Sequence, residues 1–281
     1  HDARYDRADE FMEVVLGHWN TGEDDALILD KASGRCAGPA KVHRLDHVGA
    51  YFRSRGPFSV PRSPQGQPVL IQAGQSGRGQ AFAAKWADLV FVIFHSLQDG
   101  MREYAAFKTA IAAAGRDPAD VRVAPACYVC VGESTAAAED KRAVIEATAR
   151  EIDALVLLSE VLNYDFASKP LDAPFTDDEL AALSFQGFRD RVVRISGKKN
   201  PTVRDFITIS GRGTVKEHPM FVGDPKQVAD QMEEWFTTPA CDGFVLAATS
   251  MPGAYDDVVR LLVPELQRRG LFHKDYAGPT L

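Results

Sequence analysis

Four apolar runs, each followed by a helical pattern, constrain the fold of this chain more than any other feature. Each run is apolar on both faces, which is typical of parallel strands covered by helices. This alternation predicts an α/β fold with a parallel sheet in which the four strands lie adjacent in chain order. The runs are "PVLIQAG" (68–74), "DLVFVIF" (88–94), "VRVAPACYVCVG" (121–132) and "DGFVLAAT" (242–249), and the helical patterns cover 77–87, 97–115, 134–163 and 254–270.

The number of strand and helix units leaves two architectures open. Four such units equal half of an eight-stranded TIM barrel, or a small doubly wound sheet. Residues 20–66 and 163–220 are irregular excursions rich in turn residues, and the first contains a predicted hairpin at 46–60. Excursions of this length usually have a function, such as covering a substrate.

Two helix starts follow from local capping chemistry. Ser134 or Thr135 is expected to cap the helix that follows the third strand run. Asp224 precedes Pro225, a residue that is favoured in the first turn of a helix, so a further helix is expected to begin there.

Charge and hydropathy exclude several classes of partner. The 32 basic and 39 acidic residues give a net charge of −7, without a basic cluster of the kind that neutralises nucleic acid or anionic lipid. No apolar run approaches the roughly 20 residues of a membrane span, and the first residues do not read as a signal peptide. A cytoplasmic protein without a nucleic-acid or membrane partner is the expectation.

The cysteines and histidines predict neither a redox centre nor a metal site. Cys127 and Cys130 have redox-motif spacing, but they lie inside an apolar strand run, where residues three apart face opposite sides. We therefore expect buried, inert thiols. The histidines lack the H-E-x-x-H motif of zinc enzymes, and no metal site is predicted.

The stretch "PVLIQAGQSGRGQAFAAKWA" reads as a strand, a glycine turn and a helix. Free N–H groups and the positive dipole end at such a helix start can bind an anion, and Ser76 can cap the helix or donate to that anion. The turn is neither G-x-G-x-x-G nor an ATP or GTP phosphate loop. From the residues alone, a phosphate site and a purely structural turn both stay open, and Arg78 could approach a phosphate or form a salt bridge.

Several segments together resemble the bacterial luciferase-like monooxygenases, in particular the nitrilotriacetate, EDTA and dibenzothiophene-sulfone monooxygenase branch. The resemblance runs from the first residue to the last. The segments that carry it are "HDARYDRADEF", "HRLDHVGAYFRSRGPFSVPRSPQGQPVLIQAGQSGRGQAFAAKWADLVFV", "VGDPKQVADQMEEWF" with "CDGFVLA", and "VVRLLVPELQRRGLFHKDYAGPTL".

The resemblance implies a TIM barrel that uses reduced FMN, supplied by a separate flavin reductase, and O₂ to oxygenate a small organic substrate. That substrate would be a xenobiotic, sulfur or aminopolycarboxylate compound. His1 and Tyr5 match the family's His-x-x-x-Tyr flavin contact, and Ser76 and Gly77 match its phosphate turn. This chain has Gln75 where the family commonly has a first serine.

Few catalytic side chains are expected, because in flavin monooxygenases the cofactor carries the difficult chemistry. His95, after the second strand run, and His218 are the candidates for proton transfer. A deazaflavin-dependent oxidoreductase of the same fold, or a half barrel without catalytic activity, are the alternatives.

By the same resemblance, the four runs correspond to strands five to eight of the family barrel. We therefore expect residues 1–281 to be one domain, a C-terminal half barrel with insertions at about 20–66 and 163–220. Exposed sheet edges would then drive self-association into a homo-oligomer, and the chain alone would be inactive.

Overall fold

The computed structural model describes residues 2–74 and 76–280, so His1 and Gln75 lie outside the described residues. The α-helices are α1 (Asp2–Trp19), α2 (Gly77–Trp86), α3 (Leu97–Ala113), α4 (Thr135–Ala147), α5 (Glu151–Leu162), α6 (Asp177–Ala182), α7 (Gln186–Ser196), α8 (Val203–Ser210), α9 (Pro225–Thr237), α10 (Gly253–Asp257) and α11 (Val263–Arg269). The strands are β1 (Leu27–Asp30), β2 (Arg35–Ala37), β3 (His47–Val48), β4 (Arg53–Ser54), β5 (Ile71–Ala73), β6 (Leu89–Val92), β7 (Arg122–Val131), β8 (Met220–Gly223) and β9 (Val245–Ala247).

The main sheet confirms the α/β class. Within the described residues it has five strands in the order β5-β6-β7-β8, and β9 pairs with β7. Both β8 and β9 run parallel to β7, with Tyr128 opposite Met220 in one pair and opposite Ala247 in the other. All four apolar runs form strands, and their predicted neighbour order is confirmed.

Strand β8 is an addition that the sequence reading missed. Its four residues lie directly between Pro219 and the N-cap residue of α9. A run this short shows no recognisable strand pattern in the sequence. The interpretation of this sheet as half of an eight-stranded barrel is not confirmed by the strand pairing, and it stays a prediction together with the two insertions.

The described residues fall into two compact units. The first unit comprises the described residues within His1–Val90, Phe107–Arg122 and His273–Leu281. The second unit comprises Phe91–Ala106 and Val123–Phe272. The first unit contains α1, α2 and the hairpins β1–β2 and β3–β4, both antiparallel. The hairpin β3–β4 is the one predicted within 46–60.

The expectation of an irregular segment at 163–220 is wrong, because this part of the second unit carries α6, α7 and α8. Its centre is a cluster of phenylalanine rings with centroids 5.1–5.4 Å apart, formed by Phe166, Phe175 and Phe206. All three side chains are buried. Helices of 6 to 11 residues make at most about three turns, so their hydrophobic periodicity is difficult to recognise in a sequence.

The helical pattern at 134–163 is also divided, into α4 and α5. The break falls where Arg150 has extended backbone angles and exchanges hydrogen bonds with Asp153, which begins a new helix. The predicted caps are confirmed: the Ser134 side chain accepts from the Ala137 amide, and Asp224 accepts from two amides of α9.

Candidate functional site

Two helices of the first unit, α1 and α2, are joined by a line of polar contacts. Nη2 of Arg78 lies 2.6 Å from Oδ1 of Asp6, and Nε1 of Trp86 donates a 2.6 Å hydrogen bond to Oδ1 of Asp9. The rings of Tyr5 and Phe82 lie 5.6 Å apart. Since side chains three or four residues apart share one helix face, these contacts fix the register between the helices. They place Tyr5 beside the glycine turn that precedes α2.

The glycines of that turn leave room for the phenol of Tyr5. A Cβ on Gly79 would lie 3.0 Å from the Tyr5 hydroxyl and 3.1 Å from Oγ of Ser76. A Cβ on Gly74 would lie 3.6 Å from the same hydroxyl. Gly77 has nothing within 4 Å of its ideal Cβ, and it is exposed together with Ser76. The turn therefore holds two hydroxyl groups close together and has an open side.

Ser76 is the N-cap of α2. Its Oγ accepts a 3.1 Å hydrogen bond from the Gly79 amide. This bond uses a lone pair, so the hydroxyl proton can still be donated to an anion. The amides of Gly77 and Arg78 precede the first intrahelical bond, from Gln80 to the Ser76 carbonyl, and the helix offers them no acceptor. Capping and anion binding are thus compatible at one residue.

Of the two roles that the sequence leaves open for Arg78, the structure shows the salt bridge. Besides its contact with Asp6, its guanidinium carbon lies 5.7 Å from the centroid of the Tyr5 ring. Its Nε is buried and has no hydrogen-bond partner among the described residues. The pairing with Asp6 holds a positive charge next to the turn and adds to the helix dipole.

These residues fit a phosphate group. A hydroxyl from Ser76, a phenol from Tyr5 and two free amides at a helix start are donors that a phosphate dianion accepts. The structure therefore brings together Tyr5, Ser76 and Gly77, three of the four residues that the sequence predicts for the flavin. Their role in binding stays a prediction.

The two candidate histidines lie in the second unit. His95 is accessible to solvent, yet the surrounding protein, followed by the Arg191 charge, lowers its pKa to about 4. Burial also lowers the pKa of His218, whose ring lies 5.2 Å from that of Tyr128 on β7. Both imidazoles are therefore neutral near pH 7.

Among the described residues, the cysteines and the histidines at 43 and 47 form neither a redox pair nor a metal site. Cys127 and Cys130 are buried, free thiols, and burial raises the pKa of Cys127 to about 12. His43 and His47, four residues apart, bind separate carboxylates. Across residues 2–74 and 76–280, no group of three or more potential metal ligands occurs. None of the helices in those ranges has the length and apolar character that crossing a bilayer requires.

Sequence reasoning missed Asp6, Asp9 and Arg191. Asp6 and Asp9 on α1 pair with Arg78 and Trp86 on α2, and only the tertiary packing of the two helices reveals these pairs. Arg191 lies in the segment that was read as irregular, so the helix that presents it was not predicted.

Comparison with known proteins gives consistent matches over the whole chain. A family model described as luciferase-like monooxygenase matches residues 1–241. A dibenzothiophene-sulfone monooxygenase from Rhodococcus erythropolis is 40% identical over 288 residues, covering 100% of this chain and 62% of that protein. Nitrilotriacetate monooxygenase component A from Aminobacter aminovorans is 37% identical over 283 residues, with coverage of 100% and 62%.

A solved structure agrees with these sequence matches. The crystal structure of DmoA from Hyphomicrobium sulfonivorans is 35% identical, with a TM-score of 0.82, and the match covers 100% of this chain and 59% of that one. The chain spans about three fifths of the length of these relatives. The expectation that it is the C-terminal part alone is not confirmed by these matches.

Proposed function

This chain belongs to the luciferase-like monooxygenase family, and from that premise we propose that it acts in an FMN-dependent two-component monooxygenase. The protein would use reduced FMN, supplied by a separate flavin reductase, and O₂. Its substrate would be a small organic, sulfur or aminopolycarboxylate compound. Two relatives named for dibenzothiophene sulfone and nitrilotriacetate support this range of substrates.

The observation that carries the proposal is the approach of Tyr5 to the glycine turn of α2. If Gly79 carried a Cβ, that atom would lie within 3.1 Å of both the Tyr5 hydroxyl and Oγ of Ser76. Hydroxyl groups from two distant segments thus border the same point of the turn, at a helix start whose first amides have no intrahelical acceptor. Tyr5, Ser76 and Gly77 would hold the FMN phosphate, with His1 as a fourth contact that lies outside the described residues.

When bound in its reduced form, FMN supplies the electrons and the reactive ring at which O₂ is activated. The side chains of this chain would bind the cofactor and transfer protons. Ser76 and Tyr5 bind and orient the phosphate end through hydroxyl donors, and the dipole of α2 complements its charge. His95 and His218, neutral near pH 7, would accept a proton rather than donate one.

The phosphate contacts can be tested by titration of the purified chain with FMN, followed by flavin fluorescence. Ser76→Ala removes one donor and should cost on the order of 1 kcal/mol of binding, about a fivefold loss of affinity. The Ser76→Ala, Tyr5→Phe double variant should lose more. Tyr51→Phe, an exposed tyrosine of the same unit, is the matched control. Unchanged FMN affinity in the double variant would remove these residues from the site.

The reaction can be tested with a panel of sulfones and aminopolycarboxylates, in the presence of reduced FMN, O₂ and a flavin reductase. Product above the free-flavin background would support the monooxygenase and would contradict the expectation that this chain alone is inactive. A purified protein that retains a deazaflavin chromophore would favour the deazaflavin oxidoreductase instead. A folded chain that binds no flavin would favour a half barrel without catalytic activity.

A further inference from the structure

We propose that a cavity of about 430 Å³ in the second unit binds a small neutral organic molecule, an apolar ring system that carries one hydrogen-bond acceptor. The cavity is lined by β7, α4, α10 and the segment between β9 and α10. Its volume lies within the roughly 300–1,000 Å³ of small-molecule sites. The inference goes beyond the proposed function, because every lining residue belongs to the second unit and the phosphate contacts belong to the first.

The cavity lies where two parallel strands end at different positions. Strand β9 pairs with β7 only up to Ala247, opposite Tyr128, whereas β7 continues for three residues to Val131. The last residues of β7 therefore have no partner in β9, and Val129 and Val131 line the cavity instead. The carboxyl ends of parallel strands are the usual place of ligand binding in α/β proteins.

Most of the cavity wall is apolar. Val129 and Val131 come from β7, Val144 and Ile145 from α4, and Ala254 from α10. The Val144 side chain is 67% exposed, so an apolar ligand in the cavity would remove apolar surface from water. The wall therefore favours a ligand whose body is an apolar ring system.

Three hydrogen-bond donors of the wall remain available. Nζ of Lys141 donates to the Val131 carbonyl at 3.1 Å and to Oδ2 of Asp257 at 2.5 Å, which leaves one of its three N–H groups. The hydroxyls of Thr249 and Ser250 form no hydrogen bond with any described residue. An acceptor on the ligand, such as a ketone or sulfone oxygen, would be satisfied by one of these donors.

The charges of the wall disfavour an ionic ligand. Asp140 and Asp257 outnumber Lys141, so the wall repels an anion. Asp257 is already paired with Lys141, and Asp140 is exposed, where water screens its charge. An ammonium group would therefore lose its hydration in the apolar cavity without gaining a full partner. A neutral ligand avoids both costs.

The test is an NMR titration of the flavin-free chain with three naphthalenes that differ in one group: 2-acetylnaphthalene, 2-naphthoate and 2-naphthylmethylamine. We expect the neutral ketone to bind and to shift the amide signals of Val131, Thr249 and Ser250. It should bind about tenfold more tightly than either ion, because the ions lose hydration that the cavity does not replace.

Gly253→Leu should abolish ketone binding by filling the cavity, since a Cβ at this lining position meets only Oγ of Ser250, at 3.7 Å. Gly187→Leu on α7, where a Cβ meets nothing within 4 Å, is the matched control and should leave the affinity unchanged. The Thr249→Val, Ser250→Ala double variant keeps the cavity and should weaken ketone binding about fivefold, through the loss of one hydrogen bond. This variant keeps the proposal testable if Gly253→Leu does not fold.

Three results would overturn the site: no ketone-induced shift at the lining amides, binding of either ion as tight as that of the ketone, or unchanged ketone affinity in Gly253→Leu or in the double variant. FMN affinity, measured in the same variants, should stay at the wild-type value. Absence of FMN binding would instead count against the proposed function.

Discussion

Gly79 and Tyr5, on two different helices, approach so closely that a Cβ at position 79 would lie 3.0 Å from the phenol oxygen. The same Cβ would lie 3.2 Å from the backbone carbonyl carbon of Gly74. A side chain can turn away from such a contact, but the backbone of a tight turn cannot move at low cost. Glycine at position 79 is therefore a requirement of this turn, and we expect it to be a requirement of the proposed phosphate site as well.

Gly79→Ala should lower FMN affinity on the order of tenfold, about 1.4 kcal/mol, by displacing Tyr5 or Ser76. The measurement is the FMN titration described above. The matched control is Gly187→Ala in α7, where the new Cβ meets nothing within 4 Å. That control should stabilise the fold by about 0.5–1 kcal/mol and leave FMN binding unchanged. Equal FMN affinity in Gly79→Ala and the wild type would show that the turn does not hold the phosphate.

Lowering the pH should destabilise the protein through His95. Its pKa is about 4 in the folded chain against an ordinary value of 6.5. Between these values the unfolded chain binds the proton more readily, so stability falls as the pH falls from 6.5 towards 4. His95→Gln should flatten the pH dependence of Tm in this window. An NMR titration that places the His95 pKa at 6.5 would contradict the prediction.

Thiol reactivity should be confined to one of the four cysteines. Cys36 is exposed, whereas Cys127, Cys130 and Cys241 are buried. Burial raises the pKa of Cys127 and of Cys241 to about 12, so neither forms thiolate near neutral pH. A colorimetric thiol assay should count one reactive group in the native chain and four after unfolding. Cys36→Ser should abolish the native signal, and a persisting signal would show that the core opens readily.

Phe206→Ala should be among the most destabilising substitutions in the second unit. The ring is fully buried against Phe166 and Phe175, and its removal leaves a cavity. The expected cost is about 3–5 kcal/mol of unfolding free energy in a denaturant titration. Phe236→Ala removes a ring that is half exposed and should cost clearly less. Similar losses in the two variants would argue against a packed core in segment 163–220.

The glycine turn shows how far sequence reasoning reaches. The apolar run before it, the cap at Ser76 and the spacing of α2 are local signals, and the structure reproduces each of them. The salt bridge between Arg78 and Asp6 could not be predicted from such local signals. It depends on how two helices pack, which local spacing does not encode.

The segment 163–220 shows the opposite case, because a usable signal was present. Thr176 with Glu179 and Thr202 with Asp205 form capping boxes at the starts of α6 and α8. The many turn-forming residues of this segment led to the prediction of an irregular structure, although these short motifs indicated helix starts. The effect of the Arg191 charge on the pKa of His95, by contrast, depends on how the chain packs and is visible only in the folded protein.

The contacts between α1 and α2 also bear on the order in which the chain folds. Asp6 and Arg78 are 72 residues apart in sequence, and Asp9 and Trp86 are 77 apart. Closing loops of this length costs chain entropy before the contacts repay it, so such pairings tend to form late. A phosphate ligand held between these helices recognises only the state in which the loop is closed. Its binding would therefore stabilise the intervening residues by mass action, including the two hairpins that it does not touch.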